Sequence, residues 1–243
     1  MEQALQSFNV EFLCDFSFID EGKPDMSALF YPELQSLFDA KPPRILDPQS
    51  SLVQEAIKSP NKVATFDIGH STGRDYTCVV FASETSTVPV VHSIEWENNM
   101  PLQYWFDRLR MLGYKTVALP FDAATTNKET LLTLFQTFKR EGFNVIKFKR
   151  LQRTEQIENG RWLLNNASFC RDAVAGLSEL GKFSEFKTKH GLEQDIASAL
   201  LYAGQVLRKK HTKIELANTI KSKYKNDGFL YNTGVSFYGA ITG

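Results

Sequence analysis

The order of segments between Lys62 and Lys149 constrains this chain more than any other feature. KVATFDIG (62–69) is a short apolar run ending in an acid and a glycine, the pattern of a buried strand. HSTGR (70–74) reads as a turn, DYTCVVFAS (75–83) is rich in β-formers, and VVHSIEWE (90–97) alternates as a third strand. The short connections predict an antiparallel meander. PLQYWFDRLRMLG (101–113) then has helical spacing, with Pro101 tolerated in the first turn and Gly113 as a stop. TVALPFD (116–122) is a fourth strand, KETLLTLFQTFKREG (128–142) an amphipathic helix ended by Gly142, and NVIKFK (144–149) a fifth strand. The rest, through ENGRWLLNNASFCRDAVAGLSELGKF and LEQDIASALLYAGQVLRKK, reads as mainly helical.

The order β-β-β-α-β-α-β-α resembles that of the RNase H-like superfamily. The layer rules then give an α/β fold, a mixed sheet of five strands or more with helices on both faces. Residues 1–60 read differently. A short apolar stretch from Phe8 to Phe18 is followed by Pro24, Pro32, Pro42, Pro43, Pro48 and Pro60, which disfavour long helices and central strands. The expectation is an irregular arm or linker over 1–60 that packs on a domain spanning 61–243.

Three carboxylates fall at meaningful places in this order. Asp67 ends the first strand, Asp122 ends the fourth, and Asp195 lies near the start of a late helix. Ligands of open α/β sheets sit beyond the carboxyl ends of the strands, and the first and fourth strands should be neighbours. Three carboxylates about 4 Å apart repel by a few kcal/mol per pair at an effective dielectric near 20, and cations relieve that repulsion. Oxygen ligands without nearby Cys or His pairs favour Mg²⁺ or Mn²⁺ over Zn²⁺. Two such ions, ~3.5–4 Å apart, can activate water and stabilise the leaving 3′ oxygen of a phosphodiester. Asp67 would bridge both ions, Asp122 would bind the ion that prepares the water, and Asp195 would complete the other. Any one aspartate at a strand end is more often a turn or cap residue; the joint placement favours the metal reading. Asp75 is a further candidate ligand, with closing the turn as its alternative. Glu193 rivals Asp195 for the helical position, and His190 is a lone histidine near it.

Charge is uneven. The net charge is zero, yet residues 1–60 hold ten acidic and four basic residues, so the remainder carries a net +6. Positive charge concentrates in 139–161, with Lys147, Lys149, Arg150 and Arg153, and in 208–225, with Lys209, Lys210 and Lys213. Each run alone is ordinarily a solvated face; two beside a carboxylate site suggest a phosphate-backbone track. Cys14, Cys78 and Cys170 have no CxxC spacing, and isolated reduced thiols are expected. No apolar run approaches the ~18 residues of a membrane span, and no signal-peptide pattern opens the chain.

FNVEFLCDFS (8–17), FDIGHSTGRDYTCVVF (66–81), LPFDAA (119–124) and DIASALLYA (195–203), in that order, resemble the phage large terminase subunit, from the end of its ATPase region through its C-terminal nuclease domain. GRWLLNNASFCRDAVAGLSEL (160–180) resembles the helical stretch before that family's last acid. The resemblance implies an RNase H-like endonuclease with two Mg²⁺ or Mn²⁺ ions that cuts concatemeric viral double-stranded DNA during packaging. Its catalytic acids carry over to Asp67, Asp122 and Asp195. Many members have an acidic pair at the third position, where this chain reads HGLEQD. The implied partners are DNA, a packaging ATPase domain, the portal and the small terminase subunit. The implied place is the host cytoplasm, and the expected state is a monomeric nuclease domain without ATPase activity. GLSELGKF (176–183) nearly spells a P-loop, but Phe183 stands where Ser or Thr is needed, and the segment reads as a helix ending in glycine. The alternatives are a Holliday-junction resolvase or integrase core, an actin- or sugar-kinase-like nucleotide-binding protein suggested by DIGHSTG, and a DNA-binding or docking module without metals. The second needs another DxG loop, and none is visible.

Overall fold

A computed structural model describes residues 28–69, 76–85, 87–121, 128–184 and 192–226, with backbone alone for 128–132, 192, 193 and 212–226. The elements are α1 (Tyr31–Phe38), β1 (Ile45–Leu46), α2 (Ser51–Lys58), β2 (Lys62–Asp67), β3 (Tyr76–Glu84), β4 (Pro89–Asn98) and α3 (Leu102–Met111). They continue with β5 (Thr116–Pro120), α4 (Lys128–Arg140), β6 (Asn144–Phe148), α5 (Arg153–Asn166), β7 (Ser168–Cys170), α6 (Val174–Leu180) and α7 (Leu192–Asn226).

The seven strands are ordered β1-β7-β4-β3-β2-β5-β6. β2, β3 and β4 form the antiparallel meander. β5 joins β2 in parallel and β6 joins β5 in parallel, so the expected neighbours of the first and fourth strands do meet. On the other side β7 pairs with β4 and β1 with β7, both in parallel. Gly113 (φ 70°) and Gly142 (φ 88°) close α3 and α4 in the left-handed region, which glycine enters at least cost. α6 ends at Gly181, as the near-P-loop segment required.

Two features depart from the sequence reading. The proline-rich segment is not irregular over its described part, because its prolines fall at boundaries: Pro32 occupies the first turn of α1, and Pro48 precedes α2. Within 160–180, which reads as helical, Ser168–Cys170 is a buried strand. Three residues are too few to show a two-residue period, and only pairing to β1 and β4 makes them a strand.

Strand alternation sends side chains to two cores. On one face Val63, Cys78, Val80, Ala118 and Phe148 meet α1, α5, α6 and α7, including Phe30, Leu34, Leu37, Leu163, Leu177 and Leu200. On the other, Ala64, Phe66, Val79, Phe81 and Leu119 meet Trp105, Phe106 and Leu109 of α3 and Phe135 and Phe138 of α4. α7 crosses the first face, and its glycine at 204 lets the backbone of α5 approach at Asn159, where a Cβ would collide with the carbonyl. Among the described residues, no helix is long and apolar enough to cross a membrane.

Candidate functional site

Asp67 is the last residue of β2 and the register partner of Cys78 on β3. Phe66 fills the α3–α4 core, so alternation turns Asp67 toward the face covered by α7, the face Cys78 also occupies. Its side chain is 16% exposed, enough to be reached from the sheet's end. Asp195 arrives from α7. Its Oδ2 accepts a hydrogen bond from the backbone N–H of Tyr76, the first residue of β3, at 3.1 Å. Two aspartates far apart in sequence are therefore brought to the same end of the β2–β3 pair.

The thiol between them records both charges. Burial pushes the Cys78 thiol far up, and the negative charges of Asp195 and then Asp67 push it further. It stays protonated, so it forms an apolar floor and supplies no thiolate. The donors offered here are carboxylate oxygens, which fit a hard divalent cation such as Mg²⁺ or Mn²⁺. Among the described residues, no group of three or more His, Cys, Asp or Glu is close enough to hold a metal ion. Asp122 and Asp75 lie outside the described residues, as does His190, and the side chain of Glu193 is not described.

The basic candidates separate into different places. Arg150, just past β6, reaches the acidic pair: its Nη2 is 3.7 Å from Asp67 Oδ1. Its guanidinium also lies over the ring of Tyr202 at 5.2 Å, seven residues and about two helical turns along α7 from Asp195. Arg153 lies over Phe183 at 5.4 Å. Lys147 projects to the opposite face, over Phe135 at 4.5 Å, and Lys149 is exposed. Lys209 and Lys210 stand about 21 Å along α7 from Asp195. There Lys210 is partly buried, its pKa lowered by burial against an opposing pull from Glu84. The side chain of Lys213 is not described. The sequence reading gave Arg150 as one cation of a phosphate-backbone track and singled out neither Tyr202, beneath its guanidinium, nor Gln205, whose Nε2 donates to the Lys149 carbonyl. The seven-residue interval from Asp195 to Tyr202, two turns on one helix face, was the available signal.

No family model matches the chain, and no curated protein matches it by sequence. Solved structures do. The large terminase nuclease from thermophilic phage G20c, with bound magnesium, superposes with a TM-score of 0.50 at 19% identity, covering 75% of this chain and 98% of that one. The large terminase from another thermophilic bacteriophage gives 0.45 at 14%, covering 63% of this chain and 43% of that longer one. The fowlpox virus resolvase, in complex with Holliday-junction DNA, gives 0.38 at 12%, covering 61% of this chain and 97% of that one. The first match agrees with the mixed sheet and its two helical layers: the chain has the RNase H-like α/β fold of the phage terminase nuclease.

Proposed function

We propose that this chain is a metal-dependent endonuclease that cuts double-stranded DNA during viral genome packaging. The observation that carries the reading is that Asp67 and Asp195 come to the same end of the β2–β3 pair, each near enough to act on the Cys78 thiol. Asp122, two residues past the end of β5, is the third ligand in this reading. Two bound Mg²⁺ or Mn²⁺ ions would polarise the scissile phosphate and lower the pKa of an attacking water. The protein's own part is positional. Asp67 is fixed by the β2–β3 pairing, Asp195 is aimed by the Tyr76 amide, and the buried, protonated Cys78 adds no charge of its own.

Further elements of the reading rest on the resemblance in sequence order. They are a monomeric nuclease domain over 61–243 with residues 1–60 as its arm. Its partners are a packaging ATPase domain, the portal and the small terminase subunit, in the host cytoplasm. The test is cleavage of supercoiled plasmid with Mn²⁺ or Mg²⁺. Nicking and linearisation should occur, stop with EDTA, and fall by about a hundredfold or more in Asp67→Asn and Asp195→Asn. Undiminished cutting by either folded variant overturns the assignment. Preference for a four-way junction over linear duplex would favour a resolvase instead.

A further inference from the structure

The backbone on both sides of Arg150 is tied down by side chains. The carbonyl before it, Lys149 O, accepts a hydrogen bond from Gln205 Nε2 of α7 at 2.8 Å. The carbonyl after it, Leu151 O, accepts one from the buried Gln156 Nε2 of α5 at 2.8 Å. Its guanidinium rests on Tyr202 and faces Asp67. Two amide clamps beside it and an aromatic bed thus hold the Arg150 guanidinium near Asp67. The 3.7 Å separation between Arg150 Nη2 and Asp67 Oδ1 is longer than a hydrogen bond, so this attraction is coulombic. Guanidinium is also the side chain best shaped to take a phosphate, through two parallel N–H donors.

We infer that Arg150 is a built-in competitor for the metal, which neutralises Asp67 until a DNA phosphate draws it away. This rests on the reading of Asp67 as a metal ligand. While the guanidinium faces Asp67, a divalent cation arriving there meets a like charge. When a phosphate takes the guanidinium, that opposition ends. Metal and DNA therefore favour each other's binding, and by linkage the effect is reciprocal. Arg150 is a positioning residue in this scheme, and it makes the charged site wait for its substrate.

The experiment is Mn²⁺ binding to the full chain, followed by the electron paramagnetic resonance of free Mn²⁺. Wild type, Arg150→Gln, Arg150→Lys and Asp67→Asn are compared, with and without a duplex carrying nuclease-resistant phosphorothioate linkages; thermal melting checks the fold of each. Without DNA, Arg150→Gln should bind Mn²⁺ roughly tenfold more tightly, the effect of removing one charge about 6 Å from a dication in a water-like dielectric. Arg150→Lys, which keeps the charge, should stay within about threefold of wild type. The duplex should tighten Mn²⁺ binding in wild type and barely alter it in Arg150→Gln. Unchanged or weaker Mn²⁺ binding in folded Arg150→Gln overturns the inference while leaving the metal site standing. Wild-type Mn²⁺ binding in Asp67→Asn removes the reading of the site, and the inference with it.

Discussion

Asp195 is oriented by a main-chain amide, and this separates its charge from its structural part. Asp195→Asn keeps a carbonyl oxygen for the Tyr76 N–H, whereas Asp195→Ala leaves that donor without this acceptor. Denaturant unfolding should show the alanine variant destabilised by about 1–2 kcal/mol more than the asparagine variant. Both should lose Mn²⁺ binding alike, and equal stabilities would mean the contact holds nothing in place. His92 gives a second residue-scale expectation, away from the site. It shares a 2.7 Å hydrogen bond with Ser83, faces the Tyr114 ring and lies near Lys62. Burial, with help from Lys62, lowers its pKa from 6.5 to about 4. The folded protein then binds a proton less readily than the unfolded chain does. The stabilisation is therefore whole above about pH 6.5 and is lost as pH falls toward 4. Unfolding at a series of pH values should show a loss of roughly 2–3 kcal/mol across that window, and His92→Gln should flatten it.

At the scale of elements, α7 matters most, because it carries Asp195 in its first turn and Lys210 and His211 near its middle. Its place on the sheet depends on close contact with α5. A Cβ at Gly204 would collide with the Asn159 carbonyl, and one at Gly160 would collide with Leu201. Gly204→Ala should therefore cost about 1–3 kcal/mol by overpacking, despite alanine's better helix propensity. Since the collision is with backbone, α7 must shift, and Asp195 shifts with it. Mn²⁺ affinity should fall along with the melting temperature; a stability loss with unchanged Mn²⁺ affinity would show that the Gly204 contact and Asp195 move independently. Near the middle of α7, His211 Nδ1 lies 3.5 Å from the buried Glu84, which ties the helix to the end of β3.

Over the whole molecule, the proposed function turns the charge asymmetry of the sequence into a question of which surface a duplex would follow. Arg150 and Arg153 lie on the side of the acidic pair, Lys147 lies on the other face, and Lys209 and Lys210 lie far along α7. DNA affinity should fall steeply with salt, because neutralised phosphates release counterions. Replacing Lys209, Lys210 and Lys213 together should lower the slope of log K against log salt by about 2–3 if that stretch of α7 is part of the track. An unchanged slope confines the contact to the acidic end of the sheet.

The sequence by itself determined the central meander, the alternation of strands and helices after it, and the end of β2 as the place of Asp67. Those features are local: apolar period, turn chemistry and glycine stops act within a few residues. Only the tertiary structure decided that Ser168–Cys170 is a strand and that the proline-bounded segments around Pro32 and Pro48 are helices. Three-residue and eight-residue elements take their identity from their neighbours. The same holds for Arg150. As one cation in a run it was indistinguishable from Lys147. Strand alternation and the two glutamine clamps send one toward Asp67 and the other to the opposite face. Charge is written in the sequence, but the direction in which a charge points depends on what its backbone is tied to.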